Sequence, residues 1–158
     1  MEHKILSWED LRQKLDKARS ENKRIVFTNG CFDVLHIGHV TYLREAKRLG
    51  DLLVVALNSD TSVASIKGPS RPIVPERERA AVVAALEAVD YVTIFHEDTP
   101  RTLIEFLKPH VIVKGGDWAK EDVVGGNLVE EVVIIPSVPG VSTTDIISRI
   151  EERLRSER

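Results

Sequence analysis

Five short apolar runs punctuate this chain: RIVFTN at Arg24–Asn29, LLVVAL at Leu52–Leu57, YVTIF at Tyr91–Phe95, VIV at Val111–Val113 and EVVII at Glu131–Ile135. The residues between them recur at helical spacing, and each run closes on a polar or glycine-bearing cluster. Runs that are continuously apolar belong to strands buried on both faces, the signature of a parallel sheet between helical layers. Strand–helix alternation therefore predicts an α/β fold: a Rossmann-like three-layer α/β/α sandwich with a mostly parallel sheet of about five strands. Its crossovers should be right-handed. In such sheets ligands bind beyond the carboxyl ends of the strands, where the strand order reverses. The polar clusters sit at those ends.

The intervening segments read as follows. Ser7 with Asp10 resembles a capping box, and Leu11, Leu15 and Ala18 follow at helical spacing, predicting a helix over 8–20. A second helix should run over 37–49 and stop at Gly50. Lys67–Pro75 (KGPSRPIVP) holds three prolines and one glycine and is expected to be a loop. Helices are predicted over 76–88, after Thr99-Pro100, and after Ser142-Thr143, the last with Ile146, Ile147, Ile150 and Leu154 on one face. No internal repeat, low-complexity segment or linker interrupts the chain, so 1–158 is expected to be one domain with its core over 24–150.

Composition excludes several classes. The formal net charge is −3 over 158 residues, which argues against a nucleic-acid binder. No apolar run approaches the ~20 residues needed to span a bilayer, and the charged Met1–Asp10 is unlike a signal peptide. Cys31 is the only cysteine, so no disulfide framework can form within the chain and a cytoplasmic setting is expected.

The densest chemistry joins the first strand to the second helix: Asn29-Gly30-Cys31-Phe32-Asp33, then His36-Ile37-Gly38-His39. His36 and His39 are three residues apart and share one face of the helix's first turn. Gly38 has no side chain to keep a ligand from the backbone. A helix N-terminus offers free N–H groups and partial positive charge, which suits a phosphate. Two imidazoles there can donate hydrogen bonds to oxygens that gain charge when an α-phosphate is attacked. A lone His-x-x-His is commonly a surface or core pair; the strand–glycine–helix setting carries the phosphate reading. A zinc site on Cys31, His36 and His39 would lack the usual paired spacing.

Three further clusters stand at strand ends or loops. Gly140-Val141-Ser142-Thr143-Thr144 places three hydroxyls at a helix start. Capping explains one of them, and a second phosphate cradle would explain all. Lys114-Gly115-Gly116-Asp117-Trp118 could be an ordinary turn or a place where a nucleoside rests on backbone. Lys67, in the proline-rich loop and followed by Arg71, Arg77 and Arg79, could be surface charge or a cation closing over a triphosphate.

GCFDVLHIGH and GVSTTDII resemble the cytidylyltransferase-like superfamily, whose marks are a Gly-x-Phe-Asp turn, a His-x-Gly-His helix start and a late Ser-Thr-Thr. Within it, FTNGCFDVLHIGH, LGDLLVVALNSD, KGPSRPIVPE, AALEAVDYV, FHEDTP, VKGGDW and STTDII are similar to heptose 1-phosphate adenylyltransferases, standalone or as the C-terminal domain of bifunctional kinase/adenylyltransferases. These stretches cover residues 24–150 in the family's order. The chain departs from the pattern in a shorter segment from Gly125 to Glu131 and in Pro139 before Gly140, where the family often has an acid.

The resemblance implies transfer of AMP from ATP to heptose 1-phosphate, releasing pyrophosphate, with Mg²⁺ accompanying the nucleotide. His36 and His39 would hold the α-phosphate and Lys67 would contact phosphates. Asn29, Gly30, Cys31, Phe32 and Gly38 would line the nucleotide turn. Lys114, Gly116, Asp117 and Trp118 would lie near the nucleoside, and Ser142, Thr143 and Thr144 near the β- and γ-phosphates. Asp33 would organise the site and its metal. Asn58 and Arg79 would meet the acceptor. Small relatives often pair, so a homodimer is expected, and the kinase half of the bifunctional proteins is not in this sequence. Rival readings are a glycerol-3-phosphate cytidylyltransferase, an FAD synthetase-type enzyme, and a nucleotide-binding module without chemistry. A class I aminoacyl-tRNA synthetase also carries His-Ile-Gly-His, but needs a later Lys-Met-Ser-Lys-Ser-type loop that is missing here.

Overall fold

The computed structural model describes residues 2–158. Its order is α1 (Trp8–Ser20), β1 (Ile25–Gly30), α2 (Ile37–Lys47), β2 (Leu52–Asn58), α3 (Asp60–Lys67), α4 (Glu76–Ala84), β3 (Tyr91–Phe95), α5 (Arg101–Leu107), β4 (Val111–Gly115), β5 (Glu131–Ile135) and α6 (Thr143–Ser156). The five strands form one sheet in the order β3-β2-β1-β4-β5, and every pairing is parallel. The order runs one way from β1 to β3 and the other way from β4 to β5. The switch point therefore lies between β1 and β4.

The apolar runs are continuous because their odd and even residues serve opposite layers. Val26, Leu53, Val55 and Val113 pack with Leu43 of α2 and Ala80 and Val83 of α4. Ile25, Phe27, Val54 and Ile112 pack with Leu11 and Leu15 of α1 and Leu103, Ile104 and Leu107 of α5. This is the expected α/β/α sandwich.

Local signals place most element ends. Ser7 caps α1, its side chain accepting the Asp10 N–H at 3.2 Å. β3 and β5 fall on their predicted residues. α2 stops at Lys47 and turns through Gly50, whose N–H reaches the Lys47 carbonyl. Two expectations need correction. The polar stretch after β2 is helix α3, capped by Ser59 accepting from Ser62 N–H, so Lys67 ends a helix rather than riding the loop. α4 stops at Ala84 rather than 88, because the chain must turn back to bring Asp90 N–H to the Leu53 carbonyl beside β3. α6 has its predicted apolar stripe, yet none of its residues is buried, and Ile150 and Leu154 are more than half exposed. No described helix is long and apolar enough to cross a membrane.

Candidate active site

β1 delivers the chain to a turn at the switch point, and α2 leaves it. His36 is the N-cap of α2. Its Nδ1 accepts the Gly38 N–H at 3.1 Å, while His39 Nδ1 accepts the His36 N–H at 3.3 Å. The two histidines thus form a capping box of their own, a role normally taken by Ser or Thr with Glu or Gln. Their rings stack, centroids 3.8 Å apart and planes 24° from parallel. Phe32 also packs against His39, ring centroids 5.1 Å apart and planes tilted by 47°. A Cβ on Gly38 would stand 2.9 Å from His36 Cε1 and Nδ1. Gly38 is therefore needed to seat the imidazole, and it also borders the smaller cavity.

This geometry sets the proton positions. A nitrogen that accepts an N–H carries no proton, so each neutral ring is protonated at Nε2. Burial lowers the pKa of both rings, and that of His39 falls to about 4, with His36 adding to the effect. At neutral pH the pair is two uncharged Nε2–H donors on a surface lining both cavities of the site.

Asp33 organises the turn through hydrogen bonds within the protein. It is 4% exposed, and its carboxylate accepts from Arg71 Nε at 2.9 Å and from the Ile73 and Val74 N–H groups. Burial alone would raise its pKa, but these donors outweigh it and the net shift is downward. Asp33 clamps the α3–α4 segment onto the β1–α2 turn, and its oxygens are occupied there.

Arg79 corrects the sequence reading more sharply. It is 1% exposed, among the most buried side chains present. Nε donates to the Val74 carbonyl, Nη1 to the Cys31 and Asn58 carbonyls, and Nη2 to Asp60. Four of its N–H bonds hold protein together, so it is not a free cation for an acceptor phosphate. Asn58 is 4% exposed and gives its side-chain N–H to Ser62, though it still borders the larger cavity.

Two cavities meet at the histidines. The smaller, about 330 Å³, reaches the ends of β4 and β5 and is bordered by Asn29, Gly30, Cys31, Phe32, Gly38 and Lys114. The larger, about 650 Å³, reaches the end of β2 and the loop after β3, and adds Asp33, Asn58, Lys67, Trp118, Ser142, Thr143 and Thr144. The fold thus brings most of the expected residues together. Gly116 and Asp117 border neither cavity. Gly116 turns the chain at φ 85° with its N–H on the Ile135 carbonyl. Lys114 has its ammonium 5.5 Å from the Trp118 ring, and burial lowers its pKa. Ser142 caps α6 by accepting from Asp145 N–H, and Thr143 donates to the Val34 carbonyl, tying α6 to the histidine turn.

Sequence reasoning missed three contributors and left a fourth, Arg71, undistinguished among the loop cations. Tyr42 borders the smaller cavity and is fixed by accepting from Thr28 and donating to the Val113 carbonyl; burial pushes its pKa up to about 12. Ser137, just beyond β5, borders the same cavity, while Arg71 and Asp98 border the larger one. The rule that ligands sit beyond parallel strand ends could have flagged Ser137 and Asp98. Among the described residues, no group of three His, Cys, Asp or Glu side chains is placed to hold a metal ion.

Comparisons with known proteins identify the family. The family described as cytidylyltransferase-like matches residues 27–149. The bifunctional protein HldE of Syntrophotalea carbinolica is 55% identical over 154 residues, 95% of this chain and 31% of that protein. That of Trichlorobacter lovleyi is 52% identical over 159 residues, 98% of this chain and 32% of that protein. The chain thus spans about a third of the length of the curated relatives it matches. A crystal structure of the lipopolysaccharide core biosynthesis protein from Thermoplasma volcanium superposes with a TM-score of 0.64 at 32% identity, over 73% of this chain and 98% of that one.

Proposed function

The chain belongs to the cytidylyltransferase-like family, and on that premise we propose that it is a cytoplasmic nucleotidyltransferase that moves AMP from ATP to a sugar 1-phosphate. In this reading the acceptor is heptose 1-phosphate, and the products are ADP-heptose and pyrophosphate. The carrying observation is the histidine pair: both Nδ1 atoms accept backbone N–H bonds, so both rings offer only Nε2–H donors to the cavities. A phosphate acceptor is already an anion and needs no base to attack phosphorus. Two neutral donors suit that chemistry, and they would be misplaced for removing a proton from a hydroxyl.

The nucleoside would lie in the smaller cavity over the ends of β4 and β5, against Lys114 and the Tyr42 side of α2, with Trp118 behind the Lys114 ammonium on the larger-cavity side. The α-phosphate would sit at the start of α2. The Nε2–H groups of His36 and His39 would bind its oxygens as an acceptor oxygen forms a bond to phosphorus and the bond to the β-phosphate oxygen breaks. Lys67 would bind the chain of phosphates, and the start of α6 with Ser142 and Thr144 would receive the leaving pyrophosphate. Remote binding of both substrates would hold the reacting atoms in line.

Mg²⁺ fits only as an ion arriving on the triphosphate. Asp33, the expected organiser, has its oxygens occupied by Arg71, Ile73 and Val74, and the described residues offer no cage. Such an ion prefers phosphate oxygens and would neutralise their charge. A homodimer belongs to the same proposal, with neither nucleic acid nor membrane as partner.

The test is purified protein with Mg²⁺ and each of ATP, CTP and GTP, paired in turn with heptose 1-phosphate, glycerol 3-phosphate and FMN. ADP-heptose as the favoured product supports the reading. CDP-glycerol or FAD as the sole product would replace the acceptor assignment. Nucleotide binding without pyrophosphate release would replace catalysis with a binding role.

A further inference from the structure

Joining two anions requires cations on both sides of the reacting phosphorus. The arginine expected on the acceptor side, Arg79, has its donors engaged inside the protein. A different arginine stands in the right place. Arg71 projects from the segment between α3 and α4, its side chain is 17% exposed, and it borders the larger cavity.

The attachment of Arg71 leaves a specific edge free. Nε donates to Asp33 Oδ2 at 2.9 Å, and no described residue takes its Nη hydrogens. A guanidinium held through Nε keeps two parallel Nη–H bonds, the fork that matches two phosphate oxygens. The side chain is also oriented in advance. Asp33 is itself fixed by the Ile73 and Val74 N–H groups and lies three residues before His36 on the same turn. Arg71 is thereby tied to the element that carries the histidines.

Topology decides which substrate it meets. β1 and its histidines stand mid-sheet. The smaller cavity extends over β4 and β5; the larger shares Lys114 with it and takes in Trp118 and the start of α6, but it alone reaches the end of β2 and the loop after β3. With the nucleoside on the first side, the acceptor must enter on the second. Arg71, Asp98 and Thr99 all border that side. A carboxylate facing a cation-lined cavity suits sugar hydroxyls and repels a further phosphate.

We propose that Arg71, oriented by Asp33, binds the phosphate of the acceptor, with the acceptor's hydroxyls toward Asp98 and Thr99. The proposal rests on the nucleotidyltransfer reading above. The experiment is steady-state kinetics with ATP and heptose 1-phosphate for the wild type, Arg71→Lys and Arg71→Ala. Loss of the fork should raise the acceptor KM by about tenfold in Arg71→Lys and further in Arg71→Ala, with the ATP KM changed by less than about twofold. An unchanged acceptor KM, or a rise in the ATP KM instead, overturns the assignment while leaving the reaction intact. Should the wild type turn over no acceptor, the reaction itself is wrong, and calorimetric titration with heptose 1-phosphate alone judges Arg71. Binding that Arg71→Ala abolishes supports its role, and binding that is absent or independent of Arg71 overturns it.

Discussion

His36 and His39 lock each other in place: His39 Nδ1 takes the His36 backbone N–H, and the two rings stack 3.8 Å apart. Neither ring can rotate without breaking a bond that starts α2. The pair is preorganised, and preorganised donors act where charge develops. Replacing either histidine with alanine should lower kcat by roughly 10²–10³, by analogy with loss of one such donor, with a smaller change in ATP affinity. Initial-rate measurements check this, and full activity in the double variant would contradict it.

The same burial makes stability pH-dependent. His39 titrates near 6.5 when unfolded and near 4 when folded. Between those values the unfolded chain binds the extra proton, so stability is fully present above about pH 6.5 and is lost as pH falls toward 4. His36 shifts in the same direction. His39→Phe should flatten the decline in melting temperature between pH 7.5 and 5, and an unchanged slope would contradict the assignment.

Cys31 contributes its carbonyl, which accepts from Arg79 Nη1 at 2.7 Å. Its thiol is pushed up by burial, so it stays protonated and weakly nucleophilic at neutral pH. Cys31→Ser should retain most activity. Slow alkylation of the wild type should inhibit, because the adduct would fill the junction of both cavities, and Cys31→Ser should resist it. Loss of all activity in Cys31→Ser would point to thiol chemistry instead.

Arg79→Met removes four hydrogen bonds from a buried network and leaves the Cys31, Asn58 and Val74 carbonyls without that partner. With Asp60 itself 41% exposed, the cost should be about 3 kcal/mol, the low end for breaking a buried pair. Urea unfolding reads this directly. A variant as stable as the wild type would mean the network is not structural.

The sheet was legible in the sequence because both faces of each strand are apolar, a pattern that survives without tertiary information. The histidine turn was legible for a similar reason: glycine, aspartate and two histidines sit within a few residues of each other. Helix α3 was not. Asn58-Ser59-Asp60-Thr61-Ser62 has the composition of a loop, and Ser59 acts as a cap only because Ser62 N–H turns back onto it. The roles of Arg71 and Arg79 were hidden for a deeper reason. Both are arginines near prolines in one segment, and only the fold brings Asp33 to one and the carbonyls of Cys31 and Asn58 to the other.

The central claim is transfer of the nucleotide from its α-phosphate, and ATP labelled at that phosphorus tests it most directly. With heptose 1-phosphate and Mg²⁺, the account predicts that the label appears in a nucleotide sugar, one equivalent of unlabelled pyrophosphate accompanies it, and both vanish together in the His36→Ala, His39→Ala double variant. Label remaining in ATP, or released as AMP or ADP with no sugar attached, would contradict it.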